Sequence, residues 1–308
     1  MGEITAIAER VSNWGRWGDQ DERGTANFIT AEKRIDAAAL IRTGRTFSLA
    51  IPMDSNGPQS GIGFRTNPIH LMAATGADPE QEVDLGGGAR YTDDVISMPL
   101  QCATQWDSLA HIYYGDQLYN GFPAVSVDSR GAHRNGSDKV HEAFVSRGVL
   151  LDIARMLGVD CLEAGYSISV AELEAAERRQ GTHVAAGDIV LVRTGLMGTH
   201  DATGSWARFH DREPGLGYET VEWLHDRSVA AIATDTSRVE APSPFEGLMI
   251  PFHMLAIRDM GLHLGEFWYL EELARSCEED GVYECFLSAQ GLPITGAVGS
   301  PTNPIAIK

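Results

Sequence analysis

Between residues 101 and 111 the chain reads Gln-Cys-Ala-Thr-Gln-Trp-Asp-Ser-Leu-Ala-His. Four groups able to bind a ligand or move a proton, Gln101, Gln105, Asp107 and His111, thus stand among small and apolar residues. In extended backbone, successive side chains alternate between faces, so 101, 105 and 107 share one face. His111 keeps that parity unless a turn follows Asp107. The same residues also suit a polar strand edge leading into a helix capped by Asp107 or Ser108. A second pair, His253 and Glu266, is separated by a turn at Gly261, which can bring imidazole to carboxylate, and His263 competes for that role. A third group, Asp235-Thr236 with Glu240, follows an apolar run, a place where loops often carry function. Asp-Thr-Ser is equally good turn and cap chemistry.

Several chemistries are excluded by missing motifs. No GxGxxG opens a helix after a strand, and no GxxxxGK[ST] is present, so the phosphate-cradling loops are lacking. No GxSxG occurs, which removes the nucleophile elbow of α/β-hydrolases. Gly86-Gly87-Gly88 reads as loop.

The elements that must position these groups are legible as periodicity. Residues 148–153 (GVLLDI), 188–194 (DIVLVRT) and 229–234 (VAAIAT) are continuous apolar runs, as expected of buried strands. Further strands are expected at 46–51, 96–101, 285–289 and 293–296. Helices are expected at 30–43 with Thr30 as N-cap, at 170–180 ended by Gly181, and at 218–227, 252–260 and 268–279. Residues 54–91 are rich in Gly, Asn, Pro and Asp with little periodicity, a length that points to a functional or intersubunit excursion. With no repeat and no linker, the reading is one α/β domain spanning 1–308.

The 308 residues carry 24 basic and 43 acidic side chains, a formal charge of −19, with 43% hydrophobic residues. Such a chain builds a core without disulfides or a structural metal. Its charge and lack of a basic stripe argue against nucleic acid, whose affinity comes mainly from Lys and Arg on phosphates. No apolar run is long enough for a signal-peptide core or a membrane span. Cys102, Cys161, Cys277 and Cys285 form no CxxC pair, so a cytoplasmic protein with reduced thiols is expected.

The 101–111 segment resembles the metal-binding signature HxGTHxDxxxH of the cyclase family, which includes bacterial kynurenine formamidases and isatin hydrolases. The resemblance extends through GDIVLVRTG at 187–195, Pro214-Gly215, Trp223-Leu224, Asp235-Thr236, His253, Gly261–Glu266 and the ending Gly299-Ser300-Pro301 through Ile305-Ala306. It covers roughly residues 10–308, and the motifs are specific in combination and order. It implies a swivelling β/β/α layered fold, a mixed sheet with flanking helices, and a homo-oligomer (dimer or tetramer) with residues 1–30 as an arm over a neighbouring subunit. An arm docked on its own core is the alternative.

Carried over position by position, the resemblance makes Asp107, His253 and Glu266 metal ligands and His111 the acid/base. The family's two leading histidines correspond here to Gln101 and Gln105, which implies amide oxygens beside or within the coordination shell. One imidazole, two carboxylates and amide oxygens suit a harder ion, so Mn²⁺ or Mg²⁺ is favoured over Zn²⁺. His70 could replace a lost imidazole. Cys102, next to two residues of one strand face, should point away. The implied activity is hydrolysis of a small amide, formamide or lactone, with Trp106, Tyr113 and Tyr114 as an aromatic wall. The alternatives are a cyclase, dehydratase or isomerase on a ketone- or carboxyl-bearing metabolite, and a metal-free binding protein.

Overall fold

The three apolar runs become the middle of one sheet. In chain order its strands are β1 (Thr46–Ser48), β2 (Gln105–Asp107), β3 (Val145–Asp152), β4 (Ile189–Arg193), β5 (Ala231–Thr234), β6 (His263–Glu266), β7 (Glu284–Ser288), β8 (Gly299–Pro301) and β9 (Ile305–Ile307). The computed structural model describes residues 2–61, 65–77 and 85–308.

Across the sheet the order is β1-β9-β7-β3-β4-β5-β6-β2-β8. The β3-β4-β5-β6 ladder is parallel, and the flanks at both ends are antiparallel. Parallel strands covered on both faces need apolar side chains on both, which is why β4 and β5 are buried at every position. On one face Val149, Leu151, Val190, Val192, Ile232 and Leu264 pack under helices Val170–Gln180 and Thr220–Asp226 and the segment 252–262. On the other, Leu150, Leu191, Ala231 and Ala233 meet Phe144, Trp106, Trp268 and helix Glu271–Asp280. The chain is a mixed α/β fold with one nine-stranded sheet and flanking helices.

Helix Val170–Gln180 starts in a capping box between Ser169 and Glu172 and stops at Gly181, whose φ of 64° takes the left-handed conformation. Thr30 caps the second helix by accepting from Lys33 N at 3.1 Å. That helix ends at Ala38, well short of residue 43. Thr43 N and Gly44 N donate to Lys308 O at 3.0 and 2.7 Å, and this turn feeds β1 into its pairing with β9.

Two expected strands lie elsewhere. The strand expected at 96–101 is Asp93–Ser97, paired with Ile69–Ala74 in a separate hairpin, and residues 99–103 form turns. Residues 293–296 are turn, and the closing strands are β8 and β9. Within the 54–91 excursion, residues 62–64 and 78–84 lie outside the described residues. Residues 2–28 dock on their own chain. Ile4, Ile7 and Val11 are buried in the core, Asn13 Nδ2 donates to Met260 O at 2.8 Å, and Trp14 Nε1 donates to Arg258 O at 2.8 Å.

Candidate active site

Strand register brings the first two groups of residues together. In the antiparallel β2/β6 pair, Gln105 lies opposite Glu266 and Asp107 opposite Leu264, so Gln105, Asp107 and Glu266 share one face. Gln105 Nε2 donates to Glu266 Oε2 at 2.7 Å. His253 arrives from another element, the short helix Pro251–His253, which continues as a π-helical stretch over 254–260. Such wide turns are frequent at functional sites. Its Nε2 is 3.4 Å from Glu266 Oε1 and 4.0 Å from Asp107 Oδ2. One ligand atom each from Asp107, His253 and Glu266 lie within 4.8 Å of one another, and all three residues are buried.

Glu240 fixes the imidazole. It accepts from His253 Nδ1, from His253 N at 3.2 Å and from Phe252 N at 3.0 Å. A carboxylate on Nδ1 leaves Nε2 to face the other two acids, the arrangement expected of a metal-ligating histidine. Burial alone disfavours the charged ring, but hydrogen bonds to Glu240 and Glu266 overcome it and raise His253 to about 10. Replacing Glu240 by glutamine is expected to weaken metal affinity about 10–100-fold. A competition titration against a chromophoric chelator checks this.

The unsatisfied atoms test whether these residues fit an ion. Both carboxylate oxygens of Asp107, Oε1 of Gln105 and Nε2 of Gln101 are buried with no hydrogen-bond partner. Burial without a partner costs a polar group about 1–3 kcal/mol and a charge far more. Burial first, with Glu266 adding to it, raises Asp107 to about 6. Two buried carboxylates, an imidazole aimed between them and a free amide oxygen form a donor set that fits a divalent cation. Gln101 reaches the site from a turn and not from a strand. Its amide is packed over Gly299, where any Cβ would stand 2.5 Å from Nε2, and Gly299 is the β8 partner of Asp107.

His111 lies beyond the strand, with Nε2 3.7 Å from Asp107 Oδ1, and is partly exposed. It lines a cavity of about 370 Å³ together with His253 and Glu266. Phe267, next to Glu266, also lines that cavity and adopts φ 58°, a strained value for a bulky residue. Phe267 N donates to Thr236 O at 2.8 Å and its carbonyl accepts from Thr104 Oγ1 at 2.5 Å, which hold it there.

Neither the expected aromatic wall, Trp106, Tyr113 and Tyr114, nor His70 is among the described cavity-lining residues. Trp106 alternates to the opposite face of β2, where it packs on Phe144 and Trp268 and donates to Ala289 O at 2.6 Å. Tyr113 is 52% exposed outside the cavity. His70 sits on the separate hairpin with Nε2 2.7 Å from Asp94. Tyr114 donates to Asp259 at 2.5 Å, away from the three acids. His263 is buried with its ring nitrogens near the carbonyls of Asp107 and Arg23, and burial lowers it to about 4.

Asp235 proves to be a brace. It accepts from Thr194 N and Oγ1 and Gly195 N, each at 2.8 Å, and from Leu196 N at 3.1 Å. Asp235→Asn would turn an amide NH₂ toward two of those donors. We expect destabilisation of about 2–4 kcal/mol, read from urea unfolding midpoints.

Residues that the sequence reading did not place in the site also line the cavity: Gln59 and Arg65 from the excursion, Phe209 and His210, and Ser237 and Arg238. Behind Ser237, buried Glu213 accepts from its N at 2.7 Å and from its hydroxyl. Burial raises Glu213 to about 7 against those hydrogen bonds. None of these stands in a spacing pattern.

The family described as "Putative cyclase" matches residues 28–241. No curated protein matches the chain. A crystal structure described as a novel cyclase is 45% identical, covering 97% of this chain and 100% of its own, with TM-score 0.89. Isatin hydrolase A from Ralstonia solanacearum is 22% identical over 91% of this chain and 98% of its own, with TM-score 0.63. A structure described as a potential metal-dependent hydrolase with cyclase activity is 13% identical over 85% and 98%, with TM-score 0.50. The last two likenesses are of fold.

Proposed function

This chain belongs to the cyclase family, and from that premise we propose that it is a metal-dependent hydrolase of a small amide, formamide or lactone. The observation that carries this reading is Asp107, with both oxygens unpartnered, converging with His253 and Glu266 beside a cavity that His111 lines. A divalent ion held by those three residues would polarise the substrate carbonyl as a Lewis acid. The donor set, with one imidazole and an amide oxygen at Gln105, favours Mn²⁺ over Zn²⁺.

The chain's own groups do the rest. His111, near Asp107 and open to the cavity, takes a proton from the attacking water as its oxygen bonds to the carbonyl carbon. It then returns that proton to the leaving nitrogen or oxygen as the C–N or C–O bond breaks. Gln105 holds Glu266, and Glu240 holds His253, so neither first-contact group has to reorganise. Phe209 and Phe267 supply apolar wall.

The exposed Ile69, Leu71 and Val95, on one face of the separate hairpin, support a dimer or tetramer, since exposed apolar patches favour association. Four free cysteines support a reducing, cytoplasmic setting. Among the described residues no helix is long and apolar enough to cross a membrane.

The experiment is turnover of an amide and lactone panel in ¹⁸O-labelled water, with protein stripped by chelator and then reloaded with Mn²⁺. Label in a product carboxyl, restored only with metal, is the expected result. A product without label would assign the site to cyclisation or isomerisation, and metal-independent turnover would remove the ion from the account.

A further inference from the structure

Glu266, His253 and His111 account for one part of the cavity wall; another part is basic. Arg65 and Arg238 both line the cavity, and among the described residues neither guanidinium takes part in an ion pair or a side-chain hydrogen bond. Elsewhere arginines that approach the interior are matched: Arg147 is held by Asp188 and Glu284, and Arg193 by Asp152 and Glu271. In a chain of 24 basic and 43 acidic residues, the cavity wall inverts the balance, with these two arginines against the single carboxylate Glu266.

The backbone near each arginine is tied to its surroundings. Arg238 precedes Val239, a β-branched residue at φ 47°. Such a conformation persists only where its surroundings impose it. It separates two roles over three residues: Arg238 lines the cavity, Val239 is fully buried, and Glu240 turns inward to His253. Arg65 lies two residues before Asn67, which ties the segment together. Asn67 Oδ1 accepts from Gln59 N at 2.8 Å, and its Nδ2 donates to Gln59 O at 3.2 Å and Ser55 O at 3.3 Å. Gln59 Nε2 in turn donates to Cys102 O at 2.9 Å, anchoring the segment beside the turn that carries Gln101.

Asp107 feels the charge of Arg65 and Glu213 that of Arg238, but neither acid forms an ion pair with its arginine, so both guanidinium forks stay open to a ligand. We propose that the substrate carries a carboxylate in addition to its scissile carbonyl, and that Arg65 and Arg238 receive it. This rests on the hydrolase reading of the same site and adds the substrate's class. The guanidinium fork matches the two oxygens of a carboxylate, which makes arginine a selector and not merely a charge. A cavity of about 370 Å³ has room for a small molecule with both groups.

The test compares matched pairs on the Mn²⁺-loaded protein. N-formyl and N-acetyl amino acids are assayed against their C-terminal carboxamides. In parallel, benzoate, phenylacetate and phenyl phosphate are compared with benzamide and phenylacetamide by thermal shift. We expect the acids to be preferred about 10–100-fold in kcat/KM, the worth of a charge-assisted hydrogen-bond set. Arg65→Gln or Arg238→Gln should each reduce the acid-to-amide ratio about tenfold, and the Arg→Lys variants should keep part of it. Circular dichroism verifies folding of each variant.

Equal treatment of acids and amides, or a preference that survives both glutamine variants, overturns the proposal. Strongest stabilisation by phenyl phosphate assigns the subsite to a phosphate instead and also overturns it. If no compound is hydrolysed yet acids still bind through the arginines, the hydrolase reading falls and the subsite stands. If amides are hydrolysed without preference for acids, the reverse holds.

Discussion

His111→Ala is expected to lower kcat by about 10²–10⁴-fold, the range of a lost general acid–base group. The ring lines the cavity and is partly exposed, and its Nε2 stands 3.7 Å from Asp107 Oδ1, too long for a structural hydrogen bond. It is therefore placed to take and return a proton without being tied by a hydrogen bond to Asp107. Metal content and melting temperature should stay within error of the wild type, because His111 is not among the clustered donors Asp107, His253 and Glu266. Stopped-flow or steady-state assays with metal analysis on the same sample separate the outcomes. Loss of metal together with activity would make His111 a ligand. Unchanged turnover would remove it from the chemistry.

Asp107→Asn has the second large effect, with opposite signs on function and stability. Removing an outer partner of a metal ligand already weakens affinity about 10–100-fold. Changing a ligand that lies amid the three clustered donors should therefore exceed that range, and turnover should fall with occupancy. In the metal-free protein the same change relieves a buried carboxylate that has no hydrogen-bond partner and stands near Glu266, the burial cost outweighing the attraction of His111, His253 and Arg65. Metal-stripped Asp107→Asn should therefore be more stable than the stripped wild type, by about 1–2 kcal/mol. Excess Mn²⁺ should raise the melting temperature of the wild type and leave the variant unmoved, since only a ligand that binds the native state shifts it. A variant less stable than wild type without metal would mean that Asp107 is a structural residue. Differential scanning fluorimetry with and without Mn²⁺ reads both signs in one experiment.

The parts of this fold differ in how legible they are from sequence. The central strands β3, β4 and β5 were legible because a strand buried on both faces must be apolar throughout. The cap at Thr30 and the stop at Gly181 were legible because orphan helix groups need specific partners. The short strands β2 and β8 were not, although the edge strand β1 was expected at 46–51. β2 has three residues, β8 begins at Gly299, and each is fixed by partners remote in sequence, which no local period encodes. The face shared by Gln105 and Asp107 followed from alternation, and the same alternation sends Trp106 to the opposite face, where it joins the core. Gln101 lies in a turn, outside the parity relation.

The second tier of the site was hidden for a similar reason. Glu240 meets His253 through a turn at Val239 and the entry into a π-helical stretch, features of backbone conformation and not of residue type. Arg65 and Arg238 stand 173 positions apart in the chain, and only the fold puts them on one cavity. Ligands that share a strand pair can be read from a sequence. The groups that orient those ligands, and those that face them across a cavity, come from loops whose course is set by tertiary packing.

The central claim is that Asp107, His253 and Glu266 hold a divalent ion. Its most direct test is an anomalous-difference map from crystals of the full chain soaked in Mn²⁺. The account predicts a peak in coordinating reach of His253 Nε2, an Asp107 oxygen and a Glu266 oxygen, absent from crystals of Asp107→Asn soaked in parallel. An empty map at that position in the wild type, or a peak bound elsewhere, would contradict it.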